Sequence, residues 1–158
     1  MLEVARAVAK IMPNVEFLVV GEGDLASEMK ATSARENLPI QFLGWRQDVP
    51  AILAASDLLL LTSDNEAVAL TLIEATQAGI PVVTTAAGSV RDVAIDGENG
   101  FVTDFDSQAL ADAVIKLAGS ADLRKEYGLA GKKRSDALFS IKHMVADHEN
   151  LYRQLLRK

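Results

Sequence analysis

The chain has 158 residues, 49% of them hydrophobic and 24% charged, which fits one globular domain with a sizeable core and excludes a disordered chain or two ordinary domains. A formal charge of −6 offers no basic stripe for a phosphate backbone, so nucleic acid is excluded as a partner. With no cysteine, disulfides and thiolate metal sites are ruled out, and a reducing, cytoplasmic setting is the expectation.

The N-terminus lacks the basic start and apolar run of a secretory signal. Val4, Val8, Ile11 and Met12 recur at helical spacing until Pro13-Asn14 stops them, which predicts a helix over residues 2–12. Val15 to Val20 is a near-continuous apolar run closed by Gly21, the pattern of a parallel strand buried on both faces. Residues 25–36 carry helix formers and cross over to a second strand at 40–43, ended by Gly44. A short helix near 49–55, a strand at 58–62, a helix over 69–78 and a strand at 82–84 follow. Asp96-Gly97-Glu98-Asn99-Gly100 is a turn cluster before a short strand at 101–103. The tail is helical, with apolar stripes over 110–117, 123–129 and 141–155. The longest apolar stretches, such as Leu58 to Leu61, are far short of the roughly 20 residues that span a bilayer, so no transmembrane segment is expected.

This α/β alternation predicts a doubly wound, Rossmann-like parallel sheet with its ligand crevice at the carboxyl ends of the strands. A helix opens the pattern with no strand before it, so the first strand is expected to be lacking. In the usual 3-2-1-4-5-6 order that strand lies between those at 15–20 and 58–62, whose inner edges would be left bare.

The chemistry gathers after the third strand. Ser63-Asp64-Asn65-Glu66 leads into a helix whose Glu74 lies eight residues beyond Glu66. The first turn of that helix offers unpaired N–H groups and a positive dipole end, which suit a diphosphate. The flanking carboxylates suit sugar and ribose hydroxyls.

Ser56 to Glu66, then Leu72-Ile73-Glu74-Ala75, then Ala78-Gly79-Ile80-Pro81-Val82-Val83 resembles the E-x7-E signature of glycosyltransferase family 4, the group 1 family. Flanking segments agree: Pro13-Asn14-Val15, Val19-Val20-Gly21-Glu22-Gly23, Phe42-Leu43-Gly44-Trp45, the Gly88 region, Asp96 to Val102, and Glu149 to Tyr152. The resemblance covers nearly the whole chain. It implies the C-terminal, nucleotide-sugar-binding half of a GT-B enzyme: one donor domain over 1–158, truncated on its N-terminal side and separated from an acceptor domain. By itself such a domain is expected to transfer no sugar.

By the same resemblance Glu66 contacts the donor sugar as the catalytic-site acid, and Glu74 holds the ribose hydroxyls. Leu70 and Thr71 present N–H groups to the diphosphate, and the backbone of Ala67, Val68 and Ala69 meets the sugar. Trp45 and Arg46 lie where the base rests, and Gly21 and Gly23 line the same crevice. The implied donor is a UDP- or GDP-linked sugar, transferred with retention of configuration, with no metal and no further cofactor. The sequence departs from the family pattern in three places. Ala67 stands where the family usually has glycine, Ala69 where it often has glycine or proline, and Gly-Gly-x-x-Glu reads Gly88-Ser89-Val90-Arg91-Asp92. The family's phosphate-binding Arg and Lys fall upstream of Met1.

Other readings are weaker. Gly21-Glu22-Gly23-Asp24-Leu25-Ala26 matches a dinucleotide fingerprint, but the following strand ends without a ribose-reading acid, and Glu22 and Asp24 would set negative charge beside a pyrophosphate. A receiver domain would need a phospho-accepting Asp at a strand end, and none is evident. A sugar-nucleotide epimerase shares the shape, but the carboxylate spacing favours transfer. Lys132-Lys133-Arg134 reads as a solvated face, and His148 as part of the last helix's apolar stripe.

Overall fold

The computed structural model describes residues 1–156. In chain order it contains α1 (Leu2–Ile11), β1 (Phe17–Val20), α2 (Ala26–Arg35), β2 (Ile40–Gly44), α3 (Val49–Ala54), β3 (Leu59–Leu61) and α4 (Leu70–Gln77). Then come β4 (Val82–Thr85), α5 (Val90–Val93), β5 (Gly100–Thr103), α6 (Ser107–Ala118), α7 (Ala121–Leu138) and α8 (Ile141–Leu155). Local chemistry sets several of these starts. Pro50 sits in the first turn of α3, where its missing N–H costs nothing. Asp106, Ser120 and Ser140 cap α6, α7 and α8 by accepting from the N–H groups of Gln108, Leu123 and His143.

Every strand pair is parallel, as the helix between consecutive strands requires. The strands form two sheets, β1–β2 and β3–β4–β5, and among the described residues no ladder joins β1 to β3. The parallel α/β alternation is therefore present, divided between two sheets. Leu18 and Val20, on one face of β1, are 41% and 38% exposed.

Side chains that alternate along the three-stranded sheet divide the core in two. Leu60, Val83 and Phe101 face a cluster built on α1, α6 and Tyr127. Leu59, Leu61, Val82 and Val102 face a second cluster built on α3, α4 and α5. Leu72 and Leu117 are fully enclosed, one on each side, and each such burial stabilises by about 1.5–3 kcal/mol.

The apolar stripe at 123–129 is only part of a helix that runs on to Leu138. Glycines at 128 and 131 lower its intrinsic propensity, yet close packing requires them. A Cβ on Gly128 would overlap the Gly79 carbonyl oxygen and stand 2.9 Å from its carbon. One on Gly131 would crowd the Thr76 methyl at 3.2 Å. The Ser135 hydroxyl meets Thr76 Oγ1 at 2.7 Å. This face of α7 seats α4. Lys132 and Arg134 are correspondingly more than a solvated face: they donate to the carbonyls of Gln77 and Asp92. α8 has no buried residue, and His148 is exposed with Nδ1 2.8 Å from the Met144 carbonyl.

Candidate functional site

β3, β4 and β5 point their carboxyl ends at one edge, and the loop after β3 carries Glu66 into α4. Leu72, Ala75 and Thr76 bury one side of α4, so the opposite side, with Leu70, Thr71 and Glu74, faces outward. Leu70 and Glu74 are four apart and therefore share a face. The Glu74 carboxylate thus stands one turn beyond the helix start, while Glu66 precedes it, half-buried.

The start of α4 has no side-chain cap. Its N-cap, Ala69, accepts from Leu72 and Ile73, and the Leu70 N–H turns back to Val68 at 2.8 Å. Among the described residues the N–H groups of Ala67, Val68, Ala69 and Thr71 donate to no protein acceptor. Ala69 is only 1% exposed, and a buried donor without a partner is rare enough to mark a ligand or water position.

The β3–α4 loop has little hydrogen bonding of its own and is held by the β4–α5 loop beside it. Thr85 Oγ1 donates to the Ser63 carbonyl. The Ser89 N–H donates to the Glu66 carbonyl at 3.3 Å, and Ser89 Oγ donates to the Ala67 carbonyl at 2.6 Å. Gly88, with φ +52°, lies flat beneath Glu66: a Cβ there would overlap the Glu66 carbonyl oxygen and stand 2.7 Å from its carbon. The sequence patterns mark Gly88 and the serine after it. They do not reveal that both residues grip the glutamate-bearing loop, because only the fold sets the two loops side by side.

The other residues singled out lie nearer β1 and β2. Gly21 and Gly23 line a cavity of about 420 Å³ together with Glu22, Asp24, Met29 and Phe42. Lys30 lies 5.9 Å over the Phe42 ring at the same cavity. Trp45 follows β2 and is 68% exposed, with its ring off the core. Arg46 grips Asp48 with two hydrogen bonds of 2.8 and 2.6 Å. That guanidinium holds the Asp48 carboxyl below the usual carboxylate range. A smaller cavity of about 130 Å³ lies at the ends of β3 to β5, lined by Ser63, Thr85 and Phe105 among others. Among the described residues no three His, Cys, Asp or Glu side chains gather as metal ligands, and no helix is long and apolar enough to cross a membrane.

The chain is similar to known proteins. The family described as "Glycosyl transferases group 1" matches residues 1–134. The N-acetyl-alpha-D-glucosaminyl L-malate synthase of Bacillus anthracis is 30% identical over 160 aligned positions, covering 98% of this chain and 42% of that protein. The phosphatidyl-myo-inositol mannosyltransferase of Mycobacterium leprae is 33% identical over 135, covering 83% and 36%. Among solved structures, Anabaena HepE in complex with UDP and glucose superposes with a TM-score of 0.86 at 26% identity, covering 98% of this chain and 44% of that one. The chain thus spans under half the length of these relatives.

Proposed function

The chain belongs to the group 1 glycosyl transferases, and on that premise we propose that it is the donor-binding domain of a retaining glycosyltransferase. Its ligand is a nucleoside-diphosphate sugar. The observation that carries this reading is the cluster of free N–H groups of Ala67, Val68, Ala69 and Thr71 at the start of α4, flanked by Glu66 and Glu74. A diphosphate fits such a start because the donors and the helix dipole both favour negative charge. As the bond between sugar and diphosphate breaks, charge builds on the departing phosphate oxygen, and the N–H groups of Leu70 and Thr71 stabilise it. Leu70 reaches that role by releasing Val68. Glu74 accepts from the ribose hydroxyls and Glu66 from the sugar hydroxyls, while the loop at Gly21 and Gly23 and the turn at Trp45 and Arg46 bound the base. UDP is the first nucleotide to try, since HepE binds it.

Titration of UDP and a UDP-hexose against Glu66→Ala and Glu74→Ala tests the assignment. Glu74→Ala is expected to weaken both ligands by roughly tenfold, the scale of a hydrogen bond to a charged group. Glu66→Ala should remove only the increment that the sugar adds. Equal, negligible effects from the two substitutions would sink the reading.

A further inference from the structure

The β3–α4 loop contains two consecutive peptide planes whose carbonyls are both taken by Ser89. Its N–H holds the Glu66 carbonyl and its hydroxyl holds the Ala67 carbonyl. In a trans peptide the C=O and the following N–H point in opposite directions. Fixing those two carbonyls toward the β4–α5 loop therefore turns the N–H groups of Ala67 and Val68 away from it. Neither N–H has a protein acceptor among the described residues. The backbone contact at Glu66 needs no particular side chain at residue 89, but the contact at Ala67 requires a hydroxyl. Ser89 stands where the glycine-pair pattern has its second glycine, which could not make that bond.

We infer that Ser89 is a positioning residue: its hydroxyl sets the Ala67–Val68 peptide plane so that the Val68 N–H faces the donor sugar. This rests on the proposed donor site, in which the Ala67 to Ala69 backbone meets the sugar. Ala67 and Val68 are exposed, and the plane they share has no other restraint among the described hydrogen bonds. Losing the Ser89 hydroxyl leaves it free to rotate. The cost falls on whatever reads that N–H, and the global fold is little affected.

The test uses the 158-residue chain with Ser89→Ala and Ser89→Thr, followed by backbone ¹⁵N relaxation and by titration with UDP and UDP-glucose. In Ser89→Ala the order parameters at Ala67 and Val68 should drop from about 0.85, typical of rigid backbone, toward 0.6 or below, with the strands unchanged. The preference for UDP-glucose over UDP should fall roughly two- to tenfold, the range of one hydrogen bond, while UDP binding holds. Ser89→Thr, which keeps the hydroxyl, should restore both. Unchanged order parameters in Ser89→Ala would overturn the inference whatever the ligands do. So would a loosened loop with an unaltered sugar preference. If the unsubstituted chain binds neither nucleotide, the donor-site reading itself fails, and the sugar-facing role is overturned with it.

Discussion

Gly88→Ala is the sharpest single perturbation of the site, because two separate penalties meet at one methyl group. The first is conformational. At φ +52° an L-residue costs about 1–2 kcal/mol more than glycine. The second is steric, since the new Cβ would overlap the Glu66 carbonyl oxygen and lie 2.7 Å from its carbon. Those atoms are backbone and cannot rotate aside, so the overpacking cost is about 1–3 kcal/mol. Together the two give roughly 2–5 kcal/mol, a large share of the 5–15 kcal/mol typical of a domain. For a chain of this size the melting temperature should drop by about 4–20 °C.

Gly97→Ala separates the two costs, for Gly97 has φ +75° but nothing within 4 Å of where an added methyl would stand. It should show the conformational penalty alone. Calorimetry or urea unfolding of both variants, with nucleotide titration of Gly88→Ala, is the assay. Equal destabilisation by the two substitutions would falsify the claim that the Gly88 backbone supports Glu66.

Two further outcomes follow from the packing. Asn99 is 2% exposed and its side chain donates to the Val93 carbonyl and accepts from the Ile95 N–H. Asn99→Ala strands both groups and should cost about 2–4 kcal/mol in urea unfolding. Arg6 binds Glu36 at 2.7 Å, and this hydrogen bond, ahead of the charge attraction, holds the Glu36 carboxyl below its usual range. A depressed carboxylate stabilises the fold above its unfolded pKa, about 4.3, and loses that contribution as pH falls through the folded value. Stability should therefore decline more gently below that pH in Glu36→Gln than in the unsubstituted chain, and 1 M salt should shrink the difference.

Much of the architecture is legible because short, near-continuous apolar runs between helical segments leave few alternatives. The run from Val15 to Val20 contains β1, Leu58 to Thr62 contains β3, and Val82 to Thr84 matches β4 short of one residue. That no ladder joins β1 to β3 among the described residues agrees with the expected lack of the first strand. The elements that are not legible depend on tertiary contact. The apolar stripe of α7 stops at Leu129 because Gly131 and a basic run follow it, whereas in the fold Gly131 lies against Thr76 and the basic side chains bind carbonyls. The four-residue α5 has no periodicity to detect. Glu66 and Glu74 stand out by their spacing. The side chains that hold the Glu66 loop, Thr85 and Ser89, sit about twenty residues away and carry no local signal of that contact.

The seat that α7 provides for α4 has a consequence for synthesis. Thr76 and Ser135, whose hydroxyls meet at 2.7 Å, are 59 residues apart. At typical elongation rates of about 5–20 residues per second, Ser135 leaves the ribosome roughly 3–12 s after Thr76. Throughout that interval α4 lacks its outer cover, even once β4 and β5 have followed it out, and the Gly79 turn is unprotected. A nascent chain paused within α6 would display the signature carboxylates on a helix that has not yet found its final seat. Ribosome stalling near the start of α7, rather than near the acidic residues, is where aggregation or chaperone capture should concentrate.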